Sequence, residues 1–245
     1  MLCVRELSYN AGATPVLKNV SFELKSGENL LILGENGSGK TTLFKLLLAL
    51  LPPKSGEILL FDKPLKSYRR RDLAATFAYI PQYKANAFEF SVLEVVLLGC
   101  FYKSSIFGDY SKEQKERALQ MLERLDIAHL KDRAYTQLSG GQRQLVFIAR
   151  ALMQDTPVIF MDEPTTGLDF ANQIKFLHLL QKLNEEGKNY ILTMHNLRQA
   201  TFLGGKVLLL KRGEVLACGE ASSVLSDENL VSIYGKEFLQ FCELL

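Results

Sequence analysis

The chain has 245 residues, 47% of them apolar and 23% charged, with a formal net charge of +2. That length supports one large α/β domain, alone or with a subdomain, while the charge is too small to point to nucleic acid as a partner. Cys3, Cys100, Cys218 and Cys242 are scattered with no C-x-x-C pair, which fits reduced cytoplasmic thiols rather than a disulfide framework or metal site; no apolar run approaches the ~18 residues that span a bilayer, and no basic-then-apolar leader opens the chain, so the expectation is a soluble intracellular protein that reaches a membrane only through a partner.

In chain order, Val20, Phe22 and Leu24 alternate with polar residues, so Asn19–Leu24 is predicted as a half-buried strand. Gly27 turns the chain into the apolar strand Leu30-Leu31-Ile32-Leu33. This runs into Gly34-Glu35-Asn36-Gly37-Ser38-Gly39-Lys40-Thr41-Thr42, and an apolar helix, Leu43–Leu51, follows until Pro52-Pro53 stops it. Glu57–Phe61 and Phe77–Ile80 read as short strands, the second ended by Pro81-Gln82, and Leu65–Ala74 as a helix whose Arg69-Arg70-Arg71 run is a solvated face. From Tyr83 to Met153 the pattern is mostly helical. Ser91 with Glu94 and Ser111 with Gln114 have the capping-box form, and Ala118, Leu119, Leu122 and Leu125 recur at helical spacing as core. Strands return at Val158–Met161, Tyr190–Met194 and Val207–Leu210. Among them, Phe170, Ile174, Leu177 and Leu180 mark an amphipathic helix ended near Gly187; Arg212-Gly213-Glu214 is a hairpin turn, and one or two short helices follow Ser222. Apolar strands alternating with helices predict an α/β fold with a mostly parallel sheet flanked by helices. The expected organisation is a single domain over 1–245, with a core at 1–82 and 154–221, a helical subdomain at 83–153 and a tail at 222–245. No internal repeat is visible, so one nucleotide-binding unit is expected.

The turn at 34–41 fits G-x-x-x-x-G-K-[ST], a phosphate loop. Glycines let successive N–H groups point inward around an anion, and the helix that follows adds the partial positive charge of its N-terminus. Lys40 can reach the β- and γ-phosphates, and the Thr41 hydroxyl can take one Mg²⁺ position. Val158-Ile159-Phe160-Met161-Asp162-Glu163 is an apolar strand ending in two acids. Asp162 suits Mg²⁺, directly or through water; Glu163, pointing the other way, can polarise a water in line with the γ-phosphate. Leu138-Ser139-Gly140-Gly141-Gln142 joins a capping box to two glycines at a helix start, a second anion-binding surface. His195, just after a strand, is placed for γ-phosphate contact, whereas His129 and His178 read as structural.

In this order the motifs resemble the ATP-binding cassette ATPases over nearly the whole chain. Gly34–Thr41 is similar to their Walker A motif, Gln82 to the Q-loop glutamine, Leu138–Gln142 to the signature, and Val158–Asp162 to Walker B with Glu163 as catalytic base; Thr42 follows at the nucleotide. Gly167-Leu168-Asp169 is similar to the D-loop and His195 to the switch histidine. The resemblance implies a P-loop NTPase (RecA-like) fold with an antiparallel β part at the N-terminus. It also implies ATP and Mg²⁺ as ligands, Lys40, Gln82, Glu163 and His195 as catalytic residues, Thr41, Gln82 and Asp162 as metal ligands, and Asp169 beside the nucleotide. In that family two cassettes pair head to tail, each ATP lying between the phosphate loop of one and the signature of the other; a two-fold dimer would complete the half-sites of this chain. Two positions depart from the pattern: the family's adenine-stacking aromatic falls on Ala11, with Tyr9 two residues earlier on the same face of a strand, and Asn196 follows His195 where an acid is more common.

Tyr68–Gln82 and Phe88–Gly99 further resemble the importers of iron chelates, haem, cobalamin and molybdate. That narrower resemblance implies a homodimer at the cytoplasmic face of a bacterial inner membrane, driving two many-helix permease subunits and served indirectly by a separate substrate-binding protein. The permease is expected to dock near Tyr83–Phe90, where three aromatics would be exposed. An exporter subunit or a soluble cassette ATPase shares every catalytic motif and remains the alternative.

Overall fold

The computed structural model describes residues 1–82, 89–103 and 110–235, which form two compact units, one of residues 1–68 and 180–235 and one of the described residues within 69–179. The first unit begins with β1 (Leu2–Ala11), β2 (Thr14–Leu24), β3 (Leu30–Gly34), α1 (Lys40–Leu47), β4 (Ser55–Leu60) and β5 (Lys63–Pro64). The second holds α2 (Arg70–Thr76), β6 (Phe77–Ile80), α3 (Val92–Leu97), α4 (Lys112–Glu123), α5 (Gly140–Gln154) and β7 (Val158–Asp162). The division falls within α6 (Phe170–Glu185); β8 (Asn189–Thr193), α7 (Leu197–Leu203), β9 (Lys206–Lys211), β10 (Glu214–Glu220), α8 (Ala221–Val224) and α9 (Asp227–Tyr234) follow in the first unit.

The first unit contains an antiparallel sheet in the order β2-β1-β4-β5. It also contains a second set of strands in which β3 lies between β8 and β9, parallel to both. All five residues of β3 are buried, as a strand flanked by parallel neighbours and covered on both faces requires. β10 returns antiparallel to β9 through Arg212 and Gly213, the hairpin read from the sequence. That turn grips the segment after β3: the Gly213 N–H donates to the Ser38 carbonyl (3.1 Å), and the Gly213 carbonyl accepts from the Lys18 N–H (2.8 Å).

β1 and the first half of β2 escaped the sequence reading because both strands are bulged. In β1 the buried residues are Leu2, Val4 and Leu7, with Glu6 at φ 48° and its N–H donating to the Ser21 hydroxyl (2.8 Å). In β2 they are Leu17, Val20, Phe22 and Leu24, with Asn19 at φ 47° and its N–H donating to the Ser8 hydroxyl (3.0 Å). A bulge inserts one residue and breaks the two-residue period, so only the second half of β2 alternates.

In the second unit β6 runs parallel to β7, with Phe77 edge-on to Phe160 at 5.0 Å between ring centres. α5 is the helix about which α3 and α4 gather, and it buries Leu145–Ala149, Ala151 and Met153. Ser91, Ser111 and Ser139 each close a reciprocal capping box, with Glu94, Gln114 and Gln142. Each box satisfies N–H groups that a helix start leaves unpaired.

Four expected elements change. The Leu43–Leu51 helix is α1: it starts at Lys40 and ends at Leu47, where Ala49 takes a left-handed φ of 54° and the Leu50 N–H turns back to the Lys45 carbonyl (2.8 Å). No glycine marks that stop, so the apolar run concealed it. Leu65–Ala74 is instead a 3₁₀ turn, Leu65–Ser67, and then α2, because Tyr68 and Arg69 are extended. In α4 only Ala118 and Leu122 are buried; Leu119 is half-buried, and Leu125 lies beyond the helix end. In α6 Leu177 and Leu180 are buried with Phe176, Leu179 and Leu183, but Phe170 is 77% exposed and Ile174 41%, so the apolar stripe becomes core only in its later turns.

Candidate nucleotide site

The phosphate loop joins β3 to α1 through residues 34–39, with Gly34 at φ 150°, Gly37 at 79° and Gly39 at 104°. Position 34 requires glycine twice over: the backbone angle is unfavourable for any side chain, and a Cβ there would run into the Leu210 carbonyl oxygen and stand 2.8 Å from Ser38 Oγ. The loop closes on itself by the Ser38 N–H to Glu35 carbonyl bond (3.2 Å) and enters α1 through the Leu43 N–H to Gly39 carbonyl bond (2.8 Å). The Lys40 ammonium is folded over the loop, donating to the Gly34 (2.8 Å) and Glu35 (2.9 Å) carbonyls. Ser38 Oγ is buried with no hydrogen-bond partner among the described residues. A buried hydroxyl left over in a glycine-rich turn at a helix start fits an anion that supplies its acceptor. Glu35, Asn36, Gly37 and Thr41 are exposed and Thr42 half-buried. In the same unit His195 is exposed just beyond β8, and Asn196 is the N-cap of α7, its Oδ1 accepting from the Gln199 N–H (3.2 Å). Asparagine caps a helix as well as an acid does, so that departure has a local role. Tyr9 and Ala11 both lie on β1, Tyr9 half-buried and Ala11 exposed, with a register shift between Tyr9 and Asn10.

The second unit brings the two acids, the glutamine and the signature together. Asp162 ends β7 and is buried; burial first, and then the Asp162 charge, pushes the Tyr79 phenol up to about 12. Glu163 does not continue the strand alternation. It takes a left-handed φ of 48°, and the Thr166 N–H closes a turn onto its carbonyl (3.1 Å). A non-glycine residue held in that region at a strand end is strained backbone of the kind that collects at functional sites. Its carboxylate Oε2 accepts from Gln82 Nε2 at 2.9 Å and from Thr166 Oγ1 at 3.4 Å. The contact with Gln82 was not foreseen: both residues were expected in catalysis but not on each other. Ser139 caps α5, accepting from the Gln142 N–H (3.2 Å), while the Ser139 N–H donates to Gln142 Oε1 (3.0 Å). Gly140 is exposed, and a Cβ at Gly141 would stand 3.0 Å from the Gly167 carbonyl, so the signature turn lies against the loop that follows Glu163. Asp169 caps α6 through the Asn172 N–H (2.9 Å) and side chain (2.7 Å); those bonds, the backbone one first, hold its carboxyl below the usual range.

Two residues here were missed by the sequence reading, Thr166 and Gln144. The sequence held no clear signal for Gln144, which stands after Gln142 and Arg143 and just before the apolar run Leu145–Ala149. Of the expected permease contact, Tyr83–Phe88 lies outside the described residues; Phe90 is 42% exposed, and its carbonyl accepts from the Tyr135 N–H (2.8 Å). Among the described residues no group of three or more His, Cys, Asp or Glu could hold a metal, and no helix is long and apolar enough to cross a membrane.

Residues 17–166 match the family described as ABC transporter. The hemin import ATP-binding protein HmuV of Shewanella denitrificans is 36% identical over 242 residues, 96% of this chain and 93% of that protein. A metal-chelate type ABC transporter solved in an inward-facing conformation superposes with a TM-score of 0.83 at 34% identity, over 95% of this chain and 88% of that one. A dimeric ATP-binding cassette solved in a post-hydrolysis state with ADP and Pi gives a TM-score of 0.80 at 32% identity, over 90% of this chain and 99% of that one.

Proposed function

The chain belongs to the ATP-binding cassette family of transporter ATPases, and we propose that it is the ATP-hydrolysing subunit of an importer for a metal chelate, haem or a related cofactor or oxyanion. The observation that carries the import reading is the likeness to the hemin import subunit along nearly the whole of both chains. The phosphate loop binds the triphosphate through its N–H groups, Ser38 Oγ and Lys40, whose ammonium exchanges the Gly34 and Glu35 carbonyls for phosphate oxygens. Glu163 takes a proton from the attacking water, Gln82 holds the Glu163 carboxylate and senses the γ-phosphate, and His195 contacts that phosphate. Thr41, Gln82 and Asp162 are the residues for Mg²⁺, which when bound neutralises charge on the β- and γ-phosphate oxygens.

We infer that two copies pair head to tail, so that Ser139, Gly140, Gly141 and Gln142 of one meet the nucleotide on the phosphate loop of the other, with Asp169 alongside. ATP binding closes the pair and hydrolysis opens it. Two permease subunits received near Tyr83–Phe90 hold the dimer at the cytoplasmic face of the membrane, and a substrate-binding protein delivers the cargo. One cassette over 1–245, with 83–153 as its helical subdomain, is the organisation this reading requires. The test is uptake of labelled hemin and of ferric siderophores in a strain lacking the chain. Loss of one uptake, restored by wild type but not by Glu163→Gln, supports the reading, whereas undiminished uptake of every metal chelate and cofactor offered rejects the import half of it.

A further inference from the structure

α5 does two things in one helix. Its N-cap and first turn are the signature, Ser139–Gln142, and one turn further on the helix carries Gln144, which is 1% exposed. Gln144 Nε2 donates to the Pro164 carbonyl at 3.2 Å. Its Oε1 has no hydrogen-bond partner among the described residues, so the amide acts through its donor half. Pro164 directly follows Glu163, whose left-handed backbone sets where the carboxylate points. The rest of the loop is wound tightly: the Thr166 N–H bonds the Glu163 carbonyl (3.1 Å), the Leu168 N–H bonds the Thr165 carbonyl (3.2 Å), and Leu168 Cδ2 lies 3.7 Å from where a Cβ on Gly141 would be. A loop of successive turns behind a proline has little freedom of its own. The carbonyl of that proline is held by one side chain, and that side chain belongs to the signature helix.

We propose that Gln144 is a positioning residue that transmits the placement of the signature helix to the backbone of Glu163, and so couples the two ATP sites of the dimer. The coupling rests on the head-to-tail reading above: there the signature of a chain faces the nucleotide of its partner, while Glu163 of the same chain acts on its own. Nucleotide engaged by the signature moves α5, the Gln144 bond moves Pro164, and the base of the other site swings into or out of line. Misplacing a catalytic group by about an ångström is enough to lower a rate a hundredfold. A buried side-chain bond is therefore sufficient to make one site wait for the other.

Gln144→Met keeps length and volume and removes the donor. Gln144→Asn keeps the amide but, one methylene shorter, falls short of the Pro164 carbonyl. Each is made in the full chain, with hydrolysis measured against Mg-ATP concentration. The expected result for both is a kcat lower by about tenfold to a hundredfold, a Hill coefficient falling toward about 1, and ATP-driven dimerisation retained in the Glu163→Gln background. Differently tagged chains then test direction. A Gln144→Met, Glu163→Gln chain paired with wild type should hydrolyse as fast as a Glu163→Gln chain paired with wild type, because Gln144 serves only the base of its own chain. A slower pair would place Gln144 in the signature's grip on the partner nucleotide and overturn the proposal. So would wild-type rate and cooperativity in Gln144→Met, or wild-type behaviour in Gln144→Asn, which would make the residue a buried polar filler. If Gln144→Met melts at lower temperature, Gln144→Asn and the mixed pair decide the matter. If Glu163→Gln alone forms no dimer with Mg-ATP, the head-to-tail reading fails, and the coupling falls with it.

Discussion

The phosphate loop and the Glu163 loop are built in opposite ways. The first is held by main chain: glycines at positive φ, a strand buried on both faces, and the Gly213 hairpin gripping Ser38, with the Lys40 ammonium folded over the loop. The second is a run of main-chain turns tied down by side chains: Gln82 on Glu163, Gln144 on Pro164, Asp169 with Asn172. A main-chain cradle is rigid, and outside its glycines it is sensitive only at the few side chains that meet the nucleotide. A side-chain lattice can be retuned one bond at a time, which suits the region that must respond to events elsewhere.

Substitutions should separate the two designs. The largest effects belong to the charged groups at the heart of each. Lys40→Ala should lower hydrolysis by at least about a hundredfold by removing a preorganised donor to the phosphates, and wild-type turnover would refute the phosphate-loop assignment. Glu163→Gln should cut kcat by ~10²–10⁴-fold while the fold and the phosphate loop stay intact; ATP then accumulates and gel filtration with Mg-ATP, but not ADP, shows a dimer. Adding Ser139→Arg should abolish that dimer, since bulk and charge would occupy the signature surface; persistence of the dimer would move the interface elsewhere.

The next effect is on stability and marks the main-chain design. Gly34→Ala meets both a positive φ and the Leu210 carbonyl, so it should cost about 1–3 kcal/mol and lower Tm by several degrees. The smallest is at Asp169. Its carboxyl is held below the usual range by Asn172, so its contribution is complete above the unfolded carboxylate pKa of about 4 and is lost as pH falls through its own lower value. The Tm difference between wild type and Asp169→Ala should therefore be constant from neutral pH down to about 4 and shrink below it; a gap that widens in acid would mean Asp169 acts by something other than its charge.

The motifs of the candidate site were legible because each is local. A glycine turn between an apolar strand and a helix, or a serine three residues before a glutamine, writes its geometry into adjacent letters, and the three capping boxes formed as read. What stayed hidden depends on distant partners or broken periods. β1 was invisible because the bulge at Glu6 separates Val4 from Leu7. Phe170 and Ile174 kept perfect helical spacing yet remain exposed, because spacing says which face a residue shares and not whether anything covers it. The Gln82–Glu163 and Gln144–Pro164 bonds join residues far apart in the chain, and nothing in either segment alone announces the other.

The grip of the β9–β10 turn on Ser38 bears on how the protein is made. The phosphate loop leaves the ribosome early, but the strands that flank β3 and the glycine that fixes Ser38 come from the last quarter of the sequence. At ~5–20 residues per second, the loop waits on the order of ten to forty seconds for them. Until they arrive the apolar segment of β3 has neither of its neighbours, and an unpaired apolar strand edge is a site of wrong pairing. A message cut short before Gly213 thus yields a polypeptide that contains every letter of the Walker A motif and lacks the means to hold it in shape.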